Sequence, residues 1–150
     1  MDGDSVSAPL SYKKILAPFD GSRGSSKALR RALLIAKANG AEVTVYSVDE
    51  HLPRYAPAVG EVDEEEGLRD EYFTHLKEEA QKIAGEYGVR VRIETEVGHA
   101  AQSIVQFSQR ANFDLVVIGH AGHSGLWGSL LGSTTSRVVQ QAYCDVLVVR

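Results

Sequence analysis

The stretch "DLVVIG" (Asp114–Gly119) carries four apolar side chains in a row, and this constrains the fold more than any other feature of the chain. A strand that is apolar on both faces needs a cover on each, the pattern of a central strand in a parallel sheet with helices on both sides. The remaining segments fit that arrangement. "KKILAPFD" (Lys13–Asp20) reads as a first strand ending at Asp20, "AEVTVYSVD" (Ala41–Asp49) as a β-branched second, and "DVLVVR" (Asp145–Arg150) as the last. "VRVRIETEV" (Val89–Val97) alternates strictly, as expected of a strand with one wet face at a sheet edge.

Helical periods fall between these strands. "SSKALRRALLIAKANG" sets Leu29, Leu33 and Ala36 at helical spacing, with Ser25 or Ser26 as N-cap and Gly40 as the stop. A second helix is expected from about 68 to 87 with Tyr72, Leu76, Ala80 and Ile83 on one face. A third spans about 100 to 111, anchored by Ile104, Val105 and Phe107, and a fourth about 134 to 142. "EHLPRYAPAVGEVDEEEG" (Glu50–Gly67) holds Pro53 and Pro57 and shows no helical period, so it is expected to be a long mobile connection. Five strands alternating with four helices specify an α/β fold, a single-domain doubly wound parallel sheet. Residues 1–11 are assigned to a flexible tail and 12–150 to the domain.

At 150 residues the chain is long enough to bury a substantial core. Its net charge of −4 argues against a nucleic-acid footprint, which needs a basic face. The acidic run Glu61–Tyr72 reads as a solvated loop and helix start. Cys144 is the single cysteine, so no intramolecular disulfide forms. The first residues lack a basic start and an apolar core, and no apolar run approaches the roughly 20 residues of a membrane span, so a cytoplasmic protein without membrane contact is expected.

The segment "GHAGHSGLWGSLLGSTTSRVV" (Gly119–Val139) stands out for its glycines and hydroxyls. Unstructured loops above about 12 residues are usually functional. In an open parallel sheet, ligands bind beyond the carboxyl ends of the strands where the strand order reverses. If the first and fourth strands are neighbours there, Asp20 and Gly119 face one crevice. Gly119 and Gly122 would let backbone approach a ligand. Gly132 and Ser133 would open the last helix, whose free N–H groups and positive dipole end suit a phosphate, with Ser133, Thr134 and Thr135 adding hydroxyls. A loop that merely turns and caps, with Ser133 as N-cap, fits the local chemistry equally well. Neither the Walker pattern nor G-x-G-x-x-G is present.

The spacing Gly119-x2-Gly122-x9-Gly132-Ser133, together with "YKKILAPFDGS" near the start and "CDVLVVR" at the end, resembles the universal stress protein family in its ATP-binding branch. The resemblance covers nearly the whole chain. It implies an adenine nucleotide hydrolase-like sheet in the order 3-2-1-4-5. It implies that Asp20 lies near adenine and ribose, Pro18 two residues before it, with Val48 against adenine and Ile118 beside the base. By the same match Gly119 and Gly122 run along ribose and phosphates, while Gly132, Ser133, Thr134 and Thr135 hold the phosphates of ATP, bridged by Mg2+. A homodimer through the last strand is implied as well. His120, Ala121 and Thr134 depart from the residues common in that family.

His120 and His123 stand three apart without a nearby Cys or carboxylate, so no metal site is assigned to them. Cys144 reads as a small structural thiol, and Arg137 as a solvated residue. No catalytic residue is assigned: nothing in the pattern supplies a positioned general base. The resulting expectation is an ATP-binding, stress-response regulator rather than a committed enzyme. A slow ATPase using the same pocket and an interaction module without nucleotide are the alternatives.

Overall fold

In the computed structural model, which describes residues 11–50, 59–121 and 131–150, the chain enters a parallel sheet at once. Strand β1 (Lys14–Pro18) is followed by helix α1 (Arg23–Asn39), β2 (Glu42–Asp49), α2 (Val59–Tyr87), β3 (Val91–Val97), α3 (Ala100–Arg110), β4 (Leu115–Gly119), α4 (Ser133–Gln141) and β5 (Asp145–Val149). The sheet order is β3-β2-β1-β4-β5 with all neighbours parallel, as the sequence implied. The expected tail lies almost wholly outside the described residues.

The period-2 alternation of the strands divides the core into two layers. Ile15, Ala17, Val43, Val45, Leu115 and Val117 face α1 and α2, where they meet Leu29, Leu33, Leu76 and Ile83. Leu16, Tyr46, Val116 and Ile118 face the opposite side, against Ile104 of α3 and Val138 of α4. Four successive residues of β4, Leu115 to Ile118, are therefore buried, two on each side. That is why the segment had to be apolar throughout. β3 and β5 form the edges, and β3 is exposed at Arg92 and Glu94 as its alternation requires.

Three expectations need correction. Helix α1 starts at Arg23, with Ser22 rather than Ser25 or Ser26 as its N-cap. The Ser22 hydroxyl accepts from the Ser25 amide at 3.2 Å, while Ser25 is buried inside the first turn. The cap thus lies well before the apolar stripe that marks the helix in the sequence. Helix α2 begins at Val59, so much of the supposed connection is helical. Residues 51–58 lie outside the described set. Along 66–72 only Arg69 is less than exposed, so no apolar stripe betrays the helix there. Glutamate's high helix propensity and the favourable placement of acidic side chains near a helix start account for it. Phe73, not Tyr72, is the core anchor at that point of α2: Phe73 is 9% exposed and Tyr72 38%.

Candidate ligand-binding cleft

β1 pairs with β2 on one side and β4 on the other, and the chain reverses direction across the sheet between β1 and β4. A cleft of about 420 Å³ opens beyond their carboxyl ends, where the topology places ligands in sheets of this kind. Pro18 and Asp20 border it from β1, Val48 from β2, Ile118 and Gly119 from β4, and Gly132, Ser133, Thr134 and Thr135 from the start of α4. Every site residue inferred from the sequence that the structure describes is therefore brought together. Gly122 and His123 lie outside the described residues.

Local hydrogen bonding fixes the rim of the cleft. Asp20 accepts from the Ser22 amide at 3.0 Å through Oδ1, closing a turn in which Gly21 has φ +78°. The carboxylate of Asp20 thus shapes the entry to α1 as well as facing the cleft. At the other strand, Gly119 has a structural reason to be glycine that does not depend on a ligand. A Cβ there would stand 2.7 Å from the backbone carbonyl carbon of Gly24, and a Cβ on Gly24 would stand 2.4 Å from the Ala121 oxygen. The end of β4 and the first turn of α1 are in backbone contact, and the paired glycines permit it.

The start of α4 is tied to the end of β4 by two bonds, and that end is tied to β5 by a third. The Thr135 hydroxyl donates to the Gly119 carbonyl at 2.7 Å, the Gly132 amide donates to the His120 carbonyl at 2.9 Å, and the His120 amide donates to Val149 of β5 at 2.8 Å. Thr135 is buried, and its proton is committed to the strand. Gly132, not Ser133, is the N-cap of α4, and no side chain caps the helix. The first-turn amides of Ser133, Thr134 and Thr135 carry the partial positive charge of the helix end, the environment that favours an anion. Arg137 is exposed.

On the β1–β2 side the cleft is bordered by carboxylates. Asp49, buried at the end of β2, borders it beside Asp20. The Arg69 Nε of α2 donates to Asp49 Oδ2 at 3.2 Å. Glu50 accepts from the Ala100 amide at 2.8 Å and so caps α3. Tyr46 borders the cleft from below, its hydroxyl bonded to Glu96. Burial, then that bond, raises its phenol well above the ordinary tyrosine range. Tyr72 borders the cleft from α2, and its phenol is also raised, first by burial and then by the charges of Asp20 and Asp49.

The sequence reading missed Asp49, Tyr72 and Gly24. Asp49 had a signal, an acidic residue at the carboxyl end of a strand. Tyr72 carried a misleading one, since its spacing matched the core stripe of α2. The Nε2 of His120 is buried without a hydrogen-bond partner among the described residues. No group of three metal-ligating side chains occurs among them, and no helix among them is long and apolar enough to cross a membrane.

These features define a doubly wound α/β protein with a polarised crevice at its switch point, amide donors on one side and carboxylates on the other. The model of the Universal stress protein family matches residues 11–150, and the chain belongs to that family. It is 39% identical over 140 residues to a universal stress protein of Methanocaldococcus jannaschii, covering 93% of this chain and 82% of the relative. Universal stress protein UspA of Lactobacillus plantarum superposes with a TM-score of 0.81 at 30% identity, covering 95% of this chain and all (100%) of the other. A universal stress protein in complex with cAMP is also similar, at 27% identity and a TM-score of 0.70, with coverage of 94% and 98%.

Proposed function

We propose that the cleft binds an adenine nucleotide, ATP by preference with Mg2+ on its phosphates, and that the protein acts as a nucleotide-dependent stress-response regulator rather than a committed enzyme. The observation that carries this reading is the polarity of the cleft: an uncapped helix start at Gly132–Thr135 faces the strand-end carboxylates Asp20 and Asp49 across about 420 Å³. Phosphates belong at the α4 amides, where dipole and donors favour negative charge. The nucleoside, which carries hydroxyl and amino donors, belongs at the carboxylates, with Val48 and Ile118 offering apolar surface to the base. A similar structure that holds cAMP supports the choice of an adenine ligand.

The nucleotide acts in a cytoplasmic homodimer formed through β5. This strand pairs with β4 alone in the sheet, is only partly covered, and has Val139 of α4 and Tyr143, between α4 and β5, exposed nearby. An apolar edge of this kind invites pairing with a second chain. The test of the binding reading is to denature freshly purified protein, identify released nucleotide by chromatography, and titrate the stripped protein with ATP and magnesium. Stoichiometric adenine nucleotide or saturable binding is expected. Neither being found would overturn the reading in favour of an interaction module. Phosphate release proportional to protein across preparations, and lost with the cleft, would favour the ATPase.

A further inference from the structure

We propose that Tyr72 is a ligand-contacting residue, its ring closing the α2 side of the cleft over the nucleoside half of the bound nucleotide; this rests on the adenine-nucleotide reading above. Tyr72 sits where a core residue was expected, yet Phe73 supplies the anchor and leaves the Tyr72 ring 38% exposed at the cleft. Its hydroxyl makes no hydrogen bond to a described residue, although Asp20 and Asp49 lie close enough for their charges to act on it. An aromatic ring at a cleft wall, with a hydroxyl that bonds to no described residue, is suited to cover a base and to reach a polar group beside it.

The ring is also held in place. Its neighbour Phe73 packs against it with ring centroids 5.6 Å apart and is itself in the core. One turn earlier Arg69 bonds to buried Asp49 at 3.2 Å, so α2 is fastened to the end of β2 beside Tyr72. α2 therefore serves as a wall of the cleft, and Tyr72 is the aromatic group it presents. The carboxylates near it mark the nucleoside end, far from the amides of α4 in the chemistry they recruit.

The test is calorimetric titration of wild type, Tyr72→Ala and Tyr72→Phe with ATP and, separately, with AMP. Aromatic stacking on a base is worth about 1–3 kcal/mol by alanine substitution, so Tyr72→Ala should weaken ATP at least about fivefold. It should weaken AMP by the same factor, because both ligands carry the same nucleoside. Tyr72→Phe keeps the ring and should lose clearly less affinity than Tyr72→Ala, because only the hydroxyl's contact goes. The melting temperatures without ligand should agree within about 2 °C, since the residue contributes little to the core. Unchanged ATP affinity in Tyr72→Ala overturns this inference alone. So does a loss confined to ATP, which would put the residue at the phosphates. A wild-type protein that binds neither nucleotide overturns the function proposed above along with it.

Discussion

At the scale of single residues, the glycines of this chain divide by cause. Gly119 was legible in the sequence as a position where a side chain is excluded, but the excluding partner was not. It is the first turn of α1, through Gly24, which no spacing in the sequence linked to Gly119. Gly119→Ala should therefore destabilise even the apo protein by roughly 1–3 kcal/mol, the usual cost of overpacking. Urea unfolding of apo protein measures it, and an unaltered midpoint would contradict the contact. Tyr46 gives a second residue-scale expectation. Its phenol is raised above the ordinary value of 10.0, so the folded state holds the proton more tightly than the unfolded chain. The stabilisation is complete below pH 10 and is lost as pH rises above it. Wild type should lose stability between about pH 10 and 11 more steeply than Tyr46→Phe, read from urea midpoints across that range.

At the scale of elements, the start of α4 combines a structural task with a binding one. Thr135 holds the helix to Gly119, and Thr135→Val should cost about 1–3 kcal/mol by leaving the Gly119 carbonyl without its buried donor. Ser133 is exposed in the same turn and separates the two tasks. Ser133→Asp places a negative charge at the helix start, which should hold or raise stability by about 0.3–1 kcal/mol. The same charge should repel a bound phosphate and weaken ATP at least tenfold by calorimetry. Parallel changes in both quantities would contradict the assignment of phosphates to this turn. The sequence made this turn legible because glycine and hydroxyl residues cluster there after an apolar strand. It hid the first turns of α2 because a helix exposed on nearly every side leaves no hydrophobic period to read. It also misassigned Tyr72, whose spacing suits the core while the adjacent Phe73 occupies it.

At the scale of the whole molecule, burial accounts for part of the sheet order: β4, apolar on both faces, lies inside the sheet and β3, with its wet face, at one edge, while β5 is an apolar strand at the other edge. That order, which the family resemblance implied, sets β1 beside β4 and so creates the cleft. The edge strand β5 makes a further expectation: light scattering at micromolar concentration should give twice the 16.3 kDa of one chain, and a charged substitution at an exposed residue beside β5, such as Tyr143→Lys, should return it to the monomer mass. A wild-type monomer across that range would contradict the dimer. The central claim is the polarised cleft, and amide chemical shifts test it most directly. Adding ATP to the 15N-labelled protein should move the amides of Ser133, Thr134 and Thr135 most, with AMP moving them less and the signals near Asp20 and Asp49 shifting with both. Saturable ATP binding that leaves those three amides unmoved, or no shift anywhere in the cleft, would contradict it.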